Sequence, residues 1–533
     1  MMTLKRNTAG RSLPCRVLLA MGLLGGSLVA GEVTYKDLLN PPPENWLTYG
    51  RTYDSQRHSP LDQITKENVH QLAPAWIFPM PGAQRLQSVP IVVDGVMYVS
   101  QPNEVYALDA RAGRQIWSWR YHSPQQKGNN RGVAVLGNLV YISTPDAHLV
   151  AIDARTGSMV WESEIASAEE GYWSPAAPFA IDGKIIAGNA AGDWGLNGWL
   201  DAMDATTGER LWRFNTIPQP GEPGHETWAG DSWKTAGGAT WLSGSFDPEL
   251  NLLYWGIGNP APDFDGDDRK GDNLYTESVV AVDADTGKLK WYFQFTPHDL
   301  WDWDSVQVPV LADRQFKGRM RKLMLWGNRN GFYYVLDRAT GEFLLGKAFI
   351  HQTWADGLDE KGRPIMRPEA APSVEGTKVY PGVQGGTNWY SPSYNPQTGL
   401  FYLSVWEYAD YYHKGDPTYA KGNRYLGSVP RRVEGEPGYG AVRALDPETG
   451  EMEWEFRMVE VTNSGLLSTA GLVLFSGSNE GHFFALDAHN GNELWRTNLG
   501  GRAFASPITY LVDGKQHVSI AAGHSLYTFV LGE

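Results

Sequence analysis

Apolar and polar residues alternate along most of this chain in short runs, the period-two pattern of half-buried β-strands. Two such runs, joined by an Asp-x-x-Thr-Gly type of turn and closed by tryptophan, recur as one phrase. Residues 106–117 read YALDARAGRQIW, and related phrases fill 150–161, 201–212, 280–291, 443–454 and 484–495. Residues 334–345 carry the same phrase with Leu345 in the tryptophan position, and a degenerate copy ends at Trp76. In each copy the aspartate is placed to accept backbone N–H bonds of the turn, and the glycine to take its positive-φ position. The tryptophan is left to pack on a neighbouring unit. A further apolar strand with its own Asp-Gly or Gly-Asn turn precedes each phrase, as in 90–101 and 179–189. Four strands per unit predict blades, and eight tryptophan-type positions predict an all-β, eight-bladed β-propeller with tryptophan docking motifs over residues 31–533. The tryptophan spacing stretches to 79 and 109 residues at two places, so insertions are expected within 213–280 and 346–442. Loops inserted on a propeller gather on its rims, where sites are built.

The first 30 residues depart from this pattern. Lys5, Arg6, Arg11 and Arg16 precede an apolar run over 17–30. A basic start and an apolar stretch of that length read as a signal peptide, residues 1–30, with export to the periplasm, and are too short to span a membrane. Cys15 lies before the apolar run and is the single cysteine. The mature chain would then hold no thiol, which excludes disulfides, a thiolate metal site and a C-x-x-C-H haem attachment. Beyond residue 30 there remain 41 basic against 60 acidic side chains, a net charge of −19. That balance disfavours nucleic acid and anionic membranes as partners and suits a basic partner protein.

Chemistry concentrates in a few strand ends. Residues 296–305 read TPHDLWDWDS, with Asp299, Asp302 and Asp304 among Trp301 and Trp303. Asp302 and Asp304 stand two apart and would share a face if extended; like charges so placed have a cation to hold or a proton to move. Asp193 in GNAAGDWG, Asn259 in GIGNPAP and Arg329 in NRNGFYY end other strands, and Trp241 follows Gly237-Gly238. Oxygen donors without His or Cys suit a hard ion such as Ca²⁺. Residues 263–268, DFDGDD, lack the glycine spacing and the final glutamate of a calcium loop and read as a solvated acidic loop. His298 reads as an orienting hydrogen bonder rather than a base.

Seven blocks in order, GNAAGDWG, GGATW, GIGNPAP, GDNLYT, TPHDLWDWDS, NRNGFYYVLDR and GGTNW, together with the tryptophan repeat, resemble the pyrroloquinoline quinone (PQQ)-dependent alcohol dehydrogenases, the methanol and ethanol dehydrogenase family. The likeness runs from Trp46 to the C-terminus. It implies a periplasmic quinoprotein that oxidises a primary or secondary alcohol by hydride transfer to metal-bound PQQ. Electrons would pass to a separate acceptor such as a cytochrome c, with no haem in this chain. By the same resemblance Asp302 is the catalytic carboxylate and Arg329 bonds the quinone oxygens. Asp193 and Asn259 ligate the metal with Asp302, Trp241 stacks on the quinone, and Asn388, Arg131 and Gln87 are cofactor contacts.

The chain departs from the family in three ways. The usual ring of adjacent, disulfide-bonded cysteines is replaced by the short cysteine-free loop at 125–131. Asp193 stands for a longer glutamate. Asp304 adds a carboxylate as in lanthanide-using members, which puts a lanthanide ahead of Ca²⁺ and makes Asp304 a further metal ligand. Two other readings remain: a non-enzymatic scaffold like the outer-membrane assembly factors that share the repeat, and an enzyme of the same ring acting on larger alcohols.

Overall fold

A computed structural model describes residue 3 and residues 30–532 except 84 and 124–127. The expected signal peptide, apart from residues 3 and 30, and residues 125–127 of the short loop at 125–131 therefore lie outside the described residues. The chain is all-β and propeller-like. Among the described residues, eight sheets have four or five strands, and in most of them consecutive strands form an antiparallel meander. Two early strands are exceptions: Leu72–Pro79 pairs antiparallel with the C-terminal strand Ser525–Leu531, and His58–Ser59 pairs parallel with Leu466–Thr469, so early and late parts of the chain share sheets. The long insertion at 346–442 carries two small sheets of its own, one built from Ala355–Leu358 and Pro364–Met366, the other from Thr377–Val379, Asp410–Tyr412 and Arg431–Arg432.

The repeat explains how neighbouring sheets adhere. Each phrase makes the last two strands of its sheet. Its aspartate accepts from the turn, as Asp153 Oδ1 does from Arg155 and Thr156 N–H. Its tryptophan reaches the next sheet. Trp76, Trp117, Trp161 and Trp212 donate from Nε1 to the carbonyls of Ala110, Ala154, Ala205 and Ala284, at 2.9–3.1 Å. The same indole lies flat on the turn glycine of that next phrase. Gly157 has φ +74°, and a Cβ there would stand 2.8 Å from the Trp117 ring. The glycine is thus required twice, by its backbone and by its neighbour's indole. With the interior of the sheets filled by aliphatic and aromatic side chains, the seams at Trp76, Trp117, Trp161 and Trp212 each add one indole burial and one hydrogen bond. Strand ends from many sheets are left to converge on one face.

Candidate active site

Asp299, at the start of the acidic stretch, is fully buried. Its Oδ2 accepts N–H bonds from Trp301, Asp302 and Trp303 at 3.3, 2.8 and 3.3 Å. Gathering three successive amides onto one oxygen forces a tight turn, and Asp302 takes φ +59°. The stretch is therefore not the extended segment expected from spacing. Asp302 and Asp304 still converge, because both face one cation: Arg329 Nη2 is 3.9 Å from Asp302 Oδ2, and Nη1 donates to Asp304 Oδ2. Trp301 and Trp303 stack with centroids 4.8 Å apart and close on Trp354, walling the turn with aromatic surface. Arg269, also buried, donates to the carbonyls of Asp299 and Pro262 and so ties this turn to the strand end after Asn259.

Asp304 is the knot of the site. Its Oδ1 accepts from Trp241 Nε1 at 3.2 Å and from the Asn259 N–H at 3.1 Å, while Oδ2 takes Arg329. Both oxygens thus meet protein donors, and Asp304 braces the strand ends that carry Trp241, Asn259 and Arg329. Close approach demands glycine here: a Cβ on Gly258 would fall 2.3 Å from Asp304 Oδ1, and one on Gly385 (φ +78°) 2.6 Å from the Arg329 backbone. Arg329 also donates to the Val383 carbonyl at 2.6 Å. Burial opposes its charge, but Asp304, Asp302 and Glu277 outweigh that and hold it above the ordinary arginine value. Arg131 lies over the Trp241 and Trp389 rings, 4.9 and 4.8 Å from their centroids, and burial lowers it to about 10. Asn388 Nδ2 donates to the Gln384 carbonyl at 2.9 Å. Gln87 is buried two residues before Val89, whose N–H donates to the Arg131 carbonyl at 3.0 Å.

Facing this cluster, Asp193, Asp263 and Asp302 bring one carboxylate oxygen each within 4.8 Å of one another. Asn259 stands beside them, its Oδ1 against the Gly192–Trp194 turn that carries Asp193. The acidic loop at 263–268 is therefore only half solvated: Asp267 and Asp268 are exposed, but Asp263 and Asp265 are buried. Sequence reasoning missed Asp263 because local pattern cannot show that the Pro260–Pro262 turn tucks it under the site. Burial, helped by the neighbouring carboxylates, raises Asp302 and Asp263 well above the usual range, and Asp193 to about 6. Glu277, buried and raised by burial and by Asp299 and Asp304, accepts from Ser305 Oγ at 2.8 Å beneath the same strand. His298 bonds the Gly271 carbonyl through Nδ1 at 3.0 Å, and burial lowers it to about 4, which suits an orienting role.

These groups fit a flat, anionic, oxygen-rich cofactor held with a hard cation. Arg131 Nε, Arg329 Nε and Gln87 Oε1 are buried without a partner, the three carboxylates converge without a shared counter-ion, and Trp241 keeps part of its indole exposed.

A family model for the PQQ glucose/ethanol/alcohol dehydrogenase β-propeller domain matches residues 46–346, and one for outer membrane protein assembly factor BamB matches 438–529. Quinohemoprotein alcohol dehydrogenase ADH-IIG of Pseudomonas putida is 40% identical, the match covering 90% of this chain and 72% of that protein. Quinoprotein alcohol dehydrogenase PedH of Pseudomonas putida is 38% identical over 96% of this chain and 92% of its own length. A solved europium-containing methanol dehydrogenase superposes with a TM-score of 0.88 at 31% identity, covering 93% of this chain and all of that one. The expectation that excluded haem is corrected by these relatives. Quinohemoproteins stand among the proteins this chain resembles over nine-tenths of its length, so absence of haem is not a property of the group in which it sits.

Proposed function

The chain belongs to the PQQ-dependent alcohol dehydrogenases, and from that premise we propose that it oxidises a primary or secondary alcohol to the aldehyde or ketone with Asp302 as the base. The observation that carries this is the meeting of Asp302, Arg329 and Asp193 in one aromatic-walled recess. PQQ held with a hard cation supplies the two-electron, hydride-accepting chemistry. The chain's own residues do the rest. Asp302, 20% exposed at its side chain, is reachable from outside and raised by burial, so it can take the hydroxyl proton of an alcohol. Arg329, clamped by Asp304 and the Val383 carbonyl, presents a fixed positive charge where oxygen charge develops. Arg131, Asn388, Gln87 and Trp241 would bind and orient the cofactor. Asp193, Asn259 and Asp302 would hold the cation, with a lanthanide ahead of Ca²⁺.

The eight sheets are taken as eight blades of one ring. The basic and apolar residues 1–30 support export to the periplasm, and the overall charge of −15 supports a basic cytochrome c as electron acceptor. No helix among the described residues is long and apolar enough to cross a membrane. The match at 438–529 favours a scaffold role, but such a role leaves this buried polar cluster without a purpose. The test is reconstitution of the apo-protein with PQQ plus Ca²⁺ or La³⁺, following alcohol-dependent dye reduction over a panel of small and bulky alcohols. Failure to bind PQQ with either ion overturns the proposal.

A further inference from the structure

Asp263 does not belong to the ligand set expected for the cation, yet the fold commits it to that place. It is 1% exposed, its Oδ1 has no hydrogen-bond partner, and it offers an oxygen within 4.8 Å of oxygens of both Asp193 and Asp302. Two oxygens bound to one ion at roughly 2.3–2.6 Å can stand no more than ~5 Å apart, so all three meet the geometric condition for a shared ion.

The position is not a matter of side-chain freedom. On one side of Asp263, the Pro262 carbonyl accepts from Arg269 Nη2 at 3.0 Å; on the other, the Phe264 N–H donates to the Leu426 carbonyl at 2.9 Å. Leu426 lies in the 346–442 insertion, whose Tyr425 N–H also donates to the Asp193 carbonyl at 2.6 Å. One strap thus fixes the backbone of two of the three carboxylate donors. Of the nearby cations, Arg269 acts on Asp263 but gives its hydrogen bonds to Asn273 Oδ1 and to the Pro262 and Asp299 carbonyls, and Arg329 is committed to Asp304 and reaches Asp302 only at 3.9 Å. Among the described residues no ion pair reaches Asp263.

Resting on the proposed function, we infer that Asp263 is a third carboxylate ligand of the bound cation and that it makes the site select trivalent over divalent ions. Each carboxylate added around the ion increases the buried negative charge it must offset, and a trivalent ion offsets one unit more than a divalent ion does. The third charge, not merely the third oxygen, sets the preference.

The protein with PQQ bound is titrated with La³⁺ and Ca²⁺ by calorimetry, and with Tb³⁺ by luminescence sensitised by the site tryptophans. Asp263→Asn keeps the shape and one oxygen while removing the charge; Asp263→Ala removes both. La³⁺ and Tb³⁺ affinity is expected to fall at least ~10-fold in Asp263→Asn, as even an outer partner of a metal ligand can cost that much, with a smaller change for Ca²⁺. Removal of an unpaired buried charge should leave the melting temperature no lower, which shows that the variant folds. La³⁺ binding equal to wild type in both variants, or equal losses for La³⁺ and Ca²⁺, overturns the assignment while the dehydrogenase reading stands. Wild-type protein that binds neither PQQ nor any ion overturns both.

Discussion

The pair Arg329–Asp304 makes the sharpest prediction. Asp304→Asn removes the charge that faces a guanidinium 3% exposed, but the amide oxygen can still accept from Trp241 Nε1 and the Asn259 N–H. The new NH₂ group then points at Arg329, which is left as a buried charge without its principal partner. Breaking a buried pair in this way costs about 3–5 kcal/mol. Unfolding entropy of ~2.1 cal/mol/K per residue over ~500 residues is close to 1 kcal/mol/K, so the melting temperature should fall by roughly 3–5 °C. Calorimetry on wild type, Asp304→Asn, Arg329→Ala and the double variant closes a cycle. The second substitution should cost markedly less in the presence of the first, with a coupling of up to ~3 kcal/mol. Activity carries an independent sign. Burial is the main cause that raises Asp302; Arg329 lowers it and Asp304 raises it. Asp304→Asn should therefore move the acid limb of the kcat/KM profile to lower pH, and Arg329→Ala should move it to higher pH. Additive stability losses within ~0.5 kcal/mol, or limbs that move the same way, would refute the reasoning.

Three further outcomes follow from the same geometry. Asp302→Asn should abolish alcohol-dependent dye reduction while PQQ still binds, and turnover that survives shows that the base is another group. Metal-free Asp193→Asn should be more stable than wild type at pH 7. Asp193 is raised from 3.8 to about 6, so wild type gains stability from it below pH 4 and loses that as pH rises through 6. The ceiling is ~3 kcal/mol, less for its partial exposure. Urea unfolding in EDTA at pH 4 and pH 7 reads the difference, and La³⁺ should reverse its sign. Gly258→Ala places a methyl 2.3 Å from Asp304 Oδ1; displacement of that knot by even ~1 Å should lower kcat/KM by about 10²-fold with little change in far-ultraviolet circular dichroism.

The repeat and the residues that build the cluster could be read directly from the amino-acid order, because both rest on local rules. Alternation sets strands, Asp-x-x-Thr-Gly sets hairpins, and a tryptophan at a constant offset from each turn sets the seam, where the indole of one phrase covers the glycine of the next. Asp193, Asn259, Asp302 and Arg329 were visible as polar residues stranded at the ends of apolar runs. Their roles relative to one another were not local. The spacing of Asp304 from Asp302 was legible, but not the left-handed turn made by Asp299 or the arrival of Arg329, Trp241 and Asn259 from other strand ends to bond both of its oxygens. Asp263 looked solvated because three more acids follow within five residues, and only packing against the 346–442 insertion and Arg269 turns it inward. Sequence by itself determined the strands, their turns and the inventory of chemical groups. The tertiary structure alone decided which carboxylates share a cavity and which share an arginine, since charge and burial depend on distances between segments that are remote along the chain.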